Sequence, residues 1–154
     1  MAKEIERKFL VISDTFKSNP DNVTEIAQGY LSTLPEATVR VRIRGGRAFL
    51  TVKGRNDGCV RDEWEYEIPV EDAREMLGRC ATGGCIIKTR YCVGRWEVDE
   101  FHGELEGLTV AEIEMSAPDD RIALPSFVGE EVTGDPRYYN SSLLKGRPGE
   151  GGNR

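Results

Sequence analysis

Charged and apolar residues alternate along much of this chain, most clearly in the stretch VRVRIR at positions 39–44. Successive side chains of a β-strand point to opposite faces of a sheet, so a period of two predicts strands with one ionic and one apolar face. The alternation recurs in eight segments, which we predict to be strands: residues 3–12, 26–31, 37–44, 47–54, 61–68, 85–93, 95–102 and 109–116. The chain is therefore expected to consist mainly of β-structure.

Tight turns separate several of these segments. The pair Gly45 and Gly46 is typical of a hairpin turn, and Gly94 lies between the sixth and seventh segments. Neighbouring strands are therefore expected to be antiparallel. Because eight strands can close into a small barrel without exposed edges, we predict a closed eight-stranded antiparallel β-barrel of the mainly β (α+β) class.

Helical character is confined to two short segments. Residues 70–79 follow Pro69 and carry Glu71 and Asp72 in the first turn, where acidic side chains are favoured. A second helix is predicted within DPRYYNSSLL, residues 135–144. Two short helices offer little cover for the apolar faces of eight strands.

Length and charge limit the classes of protein. The 154 residues fit one domain, which we place at residues 1–146, with a tail at 147–154 whose composition predicts disorder. A net charge of −6 argues against general binding of nucleic acid or anionic membranes. We expect a cytoplasmic protein, since no segment resembles a membrane span or a signal peptide.

The four cysteines are Cys59, Cys80, Cys85 and Cys92, and they lack the paired spacing of a zinc site. Reduced thiols are the interpretation for a cytoplasmic protein. A bridge between Cys80 and Cys85 stays open as an alternative.

Most ionic residues of the predicted strands share one face. They are Glu4, Glu6, Lys8, Arg40, Arg42, Arg44, Arg47, Lys53, Arg61, Glu63, Glu65, Glu67, Lys88, Arg90, Arg95, Glu97, Asp99, Glu112 and Glu114. In a half-exposed sheet such a face would simply point at water. Two features favour the opposite arrangement: the faces are rich in arginine, which grips phosphate oxygens, and the apolar faces need cover. A closed barrel with its charged faces inward satisfies both.

A cavity lined with both signs of charge must pair them or bind a ligand, because an isolated buried ion loses its solvation. Clustered carboxylates without His or Cys are ligands for a hard cation such as Mg²⁺ or Mn²⁺. Clustered Arg and Lys suit a polyanion of several phosphates. Together they indicate a complex of metal and polyphosphate.

A series of motifs between about residues 3 and 144 is similar to a known family. The motifs, in order, are the E-x-E-x-K of Glu4, Glu6 and Lys8, then QGYL, VRVRI, LTVKG, the R-x-E-x-E of Arg61, Glu63 and Glu65, KTRY, EVDEF, AEIEM and EVTGDPRYYNSSL. The series resembles the CYTH domain, or triphosphate tunnel metalloenzyme, family, and within it the short bacterial-type inorganic triphosphatases. The resemblance implies a barrel that forms a tunnel and processes linear triphosphates with a divalent metal.

The resemblance also implies roles for individual residues. The cations implied to bind phosphate are Lys8, Arg40, Arg42, Lys53, Arg61, Lys88 and Arg90. The acids implied on the metal side are Glu4, Glu6, Glu63, Glu65, Asp99, Glu112 and Glu114, of which Glu63 and Glu65 would orient ligands or water. Short members of the family use a tyrosine with a lysine, which implies a catalytic role for Tyr30 and Lys8. Tyr30 would act either as an acid–base group or through an orienting hydrogen bond.

The leading hypothesis is Mg²⁺- or Mn²⁺-dependent hydrolysis of inorganic triphosphate to diphosphate and phosphate. A thiamine-triphosphatase and a class IV-type adenylate cyclase would share this site and stay open as alternatives. A non-catalytic polyphosphate-binding module is the alternative from another class, although it would not need the carboxylates. A homodimer is a further expectation, because the apolar strand faces need cover.

Overall fold

The structure is a computed structural model that describes residues 2–82, 84–144 and 146. The strands in these residues are β1 (Ala2–Val11), β2 (Asn22–Leu34), β3 (Ala37–Arg44), β4 (Arg47–Lys53), β5 (Val60–Ile68), β6 (Cys85–Val93), β7 (Trp96–Phe101), β8 (Thr109–Glu114) and β9 (Val128–Glu131). The α-helices are α1 (Val70–Arg79) and α2 (Asn140–Leu143). The tail predicted at 147–154 lies outside the described residues.

The strands form one sheet in the order β5-β4-β3-β2-β6-β7-β8-β1-β9, and an additional pairing of β5 with β1 closes it. Residues 2–5 of β1 pair with residues 60–63 of β5, and residues 6–10 pair with residues 110–114 of β8. All pairings are antiparallel. The predicted closed barrel of eight antiparallel strands is confirmed.

Two differences from the predicted elements involve the end of the barrel. β9 was not predicted; it joins β1 through the pairs Phe9–Glu131 and Val11–Val128. The predicted helix at 135–144 is divided into a 3₁₀ turn, Pro136–Tyr138, and α2. The division falls at Tyr139, whose extended backbone (φ −65°, ψ 136°) cannot continue a helix.

The hydrophobic core lies outside the barrel wall. On one side α1 buries Ala73 against Val41 and Ala48, and all three are completely inaccessible to solvent. On the other side Phe9 of β1 meets Trp96 of β7 edge to face, with their ring centroids 5.5 Å apart. Because the apolar faces pack outward against helices and loops, the inner face of the barrel is left to the charged residues.

The chain approaches β2 closely at Gly29. A Cβ atom there would lie 2.8 Å from Cβ of Ala81 and 2.9 Å from Cδ2 of Leu77. Only glycine therefore lets the end of α1 and the following loop pack this closely on the barrel.

All four cysteines lie among the described residues and are free thiols, so the alternative bridge between Cys80 and Cys85 is not formed. No helix in the part of the chain that the structure describes is long and apolar enough to cross a bilayer.

Candidate active site

The inward strand faces line a cavity of about 160 Å³. The predicted site residues that line it are Glu4, Glu6, Lys8, Tyr30, Arg40, Arg42, Lys53, Arg61, Glu63, Glu65, Arg90 and Glu112. They come from seven strands, β1 to β6 and β8. Barrel closure therefore brings acids and bases from most of the chain into one small space.

One carboxyl pair, Glu4 and Glu63, surrounds a lysine. The Nζ atom of Lys53 lies 2.9 Å from Oε1 of Glu4 and 3.2 Å from Oε2 of Glu63. Burial would raise the pKa of Glu4, but the charge and hydrogen bond of Lys53 lower it. Burial and the charge of Glu4 raise the pKa of Glu63, and a hydrogen bond joins the two carboxyl groups. Glu63 is therefore the member of this pair that keeps a proton longer as pH rises.

A second carboxyl pair consists of Glu6 and Glu112. Burial and the charges of Glu112 and Glu4 raise the pKa of Glu6 well above its usual value. Burial would also raise the pKa of Glu112, but the charge of Lys8 and the hydrogen bond from Glu6 lower it to about 2. Glu6 is thus the member of this pair that keeps its proton to higher pH.

These two pairs fit a divalent cation by the chemistry of their oxygen donors, which suits Mg²⁺ or Mn²⁺. Burial and the charges of Glu112 and Glu4, which raise the pKa of Glu6, oppose its charged form, and a divalent cation in place of the proton would offset them. Within the described ranges no three His, Cys, Asp or Glu side chains are already grouped as an ion would need.

Two buried arginines of the lining keep donors without a partner. The Nε atoms of Arg40 and Arg42 are buried and have no hydrogen-bond partner among the residues that the structure describes. Burial and the charges of Arg40 and Arg90 lower the pKa of Arg42 to about 9, despite the opposing effect of Glu65. Buried guanidinium groups that repel one another and keep unpaired donors are suited to an anionic ligand.

Three predicted site residues do not line the cavity. Lys88 and Asp99 are buried in the wall, where Nζ of Lys88 lies 2.6 Å from Oδ2 of Asp99. Arg90 donates to both oxygens of Asp99, over 2.8 and 2.9 Å. Burial would raise the pKa of Asp99, but these two cations hold it well below its usual value. Glu114, at the end of β8, is exposed.

Tyr30 and Lys8 both line the cavity, but each contacts another group. Nζ of Lys8 donates to the carbonyl of Tyr138 over 3.0 Å. The amide of Gln28 donates to the hydroxyl of Tyr30 over 3.2 Å. No hydrogen bond joins Tyr30 to Lys8 in the described part of the chain. The Oε1 atom of the same Gln28 amide is buried and has no hydrogen-bond partner among the described residues.

Arg61 is engaged with the protein on two sides. Its Nε donates to the carbonyl of Gly54 over 2.7 Å, and Nη2 donates to Oγ1 of Thr38 over 2.9 Å. Its guanidinium carbon lies 5.9 Å from the ring centroid of Tyr139. Arg61 therefore joins β3, the loop after β4 and the C-terminal segment around the cavity.

The C-terminal segment supplies lining residues that the strand pattern does not predict. They are Val132, Thr133, Gly134, Tyr139, Asn140 and Ser141. The amide of Lys8 donates to Oγ1 of Thr133 over 2.9 Å, and the amide of Val132 donates to the carbonyl of Lys8 over 2.8 Å. The sequence signal for this segment is the motif EVTGDPRYYNSSL, which carries no alternation. Thr38, Arg44 and Glu97 also line the cavity, together with Asn56, Gly58 and Cys59 of the loop after β4.

Comparison with protein families shows that the family model of the CYTH domain matches residues 2–139 of this chain. The chain belongs to the CYTH domain family. An inorganic triphosphatase from Acetivibrio thermocellus is 46% identical to this CYTH protein over 149 residues, covering 94% of this chain and 95% of the relative. An inorganic triphosphatase from Nitrosomonas europaea is 38% identical over 155 residues, covering 94% and 99%.

Solved structures agree with this assignment. The crystal structure of an inorganic triphosphatase matches the CYTH protein with 35% sequence identity and a TM-score of 0.64, covering 97% of this chain and 99% of the other. A putative adenylyl cyclase from Hippeastrum, 15% identical with a TM-score of 0.55, shares the fold alone. Triphosphatases of the CYTH family depend on a metal ion. The resemblance noted in the sequence is confirmed.

Proposed function

We propose that this CYTH protein hydrolyses inorganic triphosphate to diphosphate and orthophosphate with the help of Mg²⁺ or Mn²⁺. The observation that carries the proposal is that buried arginines with unpaired donors and paired carboxyl groups line one cavity. Two relatives at 46% and 38% identity, both inorganic triphosphatases, support the same substrate.

The basic residues would grip the phosphate chain. We assign this role to Lys8, Arg40, Arg42, Lys53 and Arg90, which all line the cavity. Burial and repulsion from Arg40 and Arg90 lower the pKa of Arg42, and a bound polyanion would offset this repulsion. Because the guanidinium groups are already in place, they can stabilise the charge that shifts to the leaving diphosphate without reorganising.

The acidic residues would hold the metal ion through Glu4, Glu6, Glu63 and Glu112. Such an ion supplies charge neutralisation and polarises the phosphoryl group. The pKa of Glu6, raised well above its usual value by burial and by the charges of Glu112 and Glu4, means that metal binding would compete with its proton. We assign Asp99 a supporting role, since it orients Arg90, and Lys88 the same role through Asp99. Glu114 remains a predicted metal-side acid.

Tyr30 and Lys8 would act at the reacting phosphate. Tyr30, which lines the cavity, would donate its phenolic proton to a phosphate oxygen or orient the attacking water. Lys8 would exchange the carbonyl of Tyr138 for a phosphate oxygen, a stronger acceptor for its charge.

The test is a parallel assay of inorganic triphosphate, thiamine triphosphate and ATP with Mg²⁺ and with Mn²⁺. Release of orthophosphate from triphosphate is expected, and Arg42→Ala should abolish most of it. Arg47→Ala is the matched control, because Arg47 pairs with Glu67 on the exposed surface. A preference for thiamine triphosphate would show that the protein is a thiamine-triphosphatase instead. Formation of cyclic AMP from ATP would show that it is an adenylate cyclase. Tight binding without turnover would identify a binding module, and full activity in a chelated sample would refute metal dependence.

The expected partner is thus a small triphosphate-bearing molecule, and a net charge of −6 supports neither nucleic acid nor an anionic membrane. Four free thiols support the proposed cytoplasmic location. A homodimer stays a prediction.

A further inference from the structure

Thr51 occupies the centre of a row that crosses three strands of the barrel. It is directly paired with Arg40 of β3 on one side and with Glu65 of β5 on the other. Thr51 is completely buried and does not belong to the cavity lining among the described residues. Thr51 therefore does not act by contact with substrate, although it lies between an acid and a base of the site.

The Thr51 hydroxyl joins these two neighbours by hydrogen bonds. It donates to Oε2 of Glu65 over 2.8 Å and accepts from Nη2 of Arg40 over 3.3 Å. A hydroxyl has one proton to donate and lone pairs to accept with, so both bonds are made at once. Valine, the apolar residue of the same shape, could make neither.

Glu65 is the counter-ion shared by two arginines. Its Oε2 atom lies 3.5 Å from Nη2 of Arg40 and 3.8 Å from Nη2 of Arg42. The Glu65 side chain is 31% exposed, whereas those of the arginines are 7% and 8% exposed. A carboxylate this accessible loses side-chain freedom when it is held in one geometry, and the short bond from Thr51 supplies that restraint.

We propose that Thr51 is a positioning residue for phosphate binding, whose hydroxyl fixes the Glu65 carboxylate as the counter-ion between Arg40 and Arg42 before the substrate arrives. The inference rests on the proposed function of the cavity. It also assigns Glu65 to the phosphate-binding half of the site, although the sequence motif predicts Glu65 among the metal-side acids.

The expected effect of losing the hydroxyl is on binding. Without Thr51, Glu65 can turn to solvent, and Arg40 and Arg42 lose the anion that offsets their mutual repulsion. Substrate binding must then order these groups, so we expect KM to rise about tenfold, the scale of one hydrogen bond to a charged group. The kcat value should change less than about twofold, because Thr51 does not touch the reacting atoms.

The experiment compares Thr51→Val, which removes the hydroxyl, with Thr51→Ser, which keeps it. Steady-state kinetics with triphosphate at saturating Mg²⁺ give KM and kcat, and calorimetry in chelator gives the affinity for triphosphate without turnover. Thr51→Val should raise KM and lower the affinity for triphosphate. Thr51→Ser should return both values to near those of the wild type. In a Glu65→Gln background, itself expected to raise KM, Thr51→Val should have little further effect.

Several outcomes would overturn the proposal. They are an unchanged KM in Thr51→Val, a Thr51→Ser variant as impaired as Thr51→Val, and a lower KM in Glu65→Gln, which would show that Glu65 repels substrate. If Thr51→Val fails to fold in a thermal melt, Thr51→Ala takes its place with the same expectation. Absence of turnover in the wild-type protein would refute the proposed function, while the calorimetric comparison would still decide the role of Thr51.

Discussion

Replacement of Asp99 by asparagine tests the buried charge cluster that supports Arg90. In the wild type, Nζ of Lys88 and the guanidinium of Arg90 donate to the oxygens of Asp99 over 2.6 to 2.9 Å. Asp99→Asn replaces one of these acceptor oxygens with an NH₂ group, which cannot accept. Two buried cations then face one neutral side chain. Breaking a buried ion group in this way costs about 3–5 kcal/mol of the free energy of unfolding.

Denaturation by urea at neutral pH measures this loss directly, and a thermal melt should show a lower Tm by roughly 6–20 °C for a chain of this size. Glu67→Gln is the matched control, because it removes an equally short pair with Arg47, 2.6 Å, that is exposed to solvent. We expect the control to unfold at the same urea concentration as the wild type. A loss below about 1 kcal/mol in Asp99→Asn would refute the view that the cluster stabilises the wall.

The same variant has a defined pH dependence. The cations hold the pKa of Asp99 well below its usual value, so the folded state binds a proton there less readily than the unfolded chain. The stabilisation is therefore fully present above the unfolded pKa of about 4 and is lost as pH falls toward the folded pKa. The difference between wild type and Asp99→Asn should shrink as pH falls from about 5 toward 3, whereas toward pH 8 Lys88, whose pKa is lowered to about 8 by burial, adds its own titration.

Three further predictions address the metal side, the candidate acid and the packing of α1. Because the pKa of Glu6 is raised well above its usual value, Mn²⁺ must displace a proton, and its affinity in calorimetry should increase with pH; a pH-independent affinity would contradict this. Tyr30→Phe should lower kcat by roughly tenfold or more, and the exposed Tyr66→Phe should not; equal rates would exclude Tyr30 from the chemistry. Gly29→Ala should cost about 1–3 kcal/mol in urea unfolding, because its Cβ would lie 2.8 Å from a neighbouring Cβ, whereas Gly46→Ala meets no atom within 4 Å and should be nearly neutral.

The barrel could be predicted because a single local rule acts along most of the chain. Alternation assigns each strand residue to a face, and turn residues such as Gly45, at φ +61°, indicate antiparallel neighbours. The short β9 could not be found in this way, since VGEE has no alternation and forms only because β1 offers it an edge. Its existence depends on tertiary contact rather than on local preference.

The alternation of residues predicts which strand face a side chain occupies, but it does not predict the side-chain contacts within the site. Parity places Lys88 and Asp99 on the inner face, but their mutual contact at 2.6 Å, which removes them from the lining, depends on side-chain lengths and strand tilt. Glu114 shares the parity of Glu112 and is nevertheless exposed, because it ends its strand. The carbonyl of Tyr138 that binds Lys8 lies in irregular backbone, which no period describes.

The closure of the barrel has a consequence for how the protein is made. Lys8 and Thr133 are 125 residues apart in sequence and are joined by a hydrogen bond. The edges of β1 are covered only when β8 and β9 have paired with it. Such distant contacts make folding slow, and they come late in synthesis because domains grow from the N-terminus. The acids of β1 and Lys8 are therefore synthesised well before the cavity can form. Activity is gained only after the last segment that lines the cavity has left the ribosome.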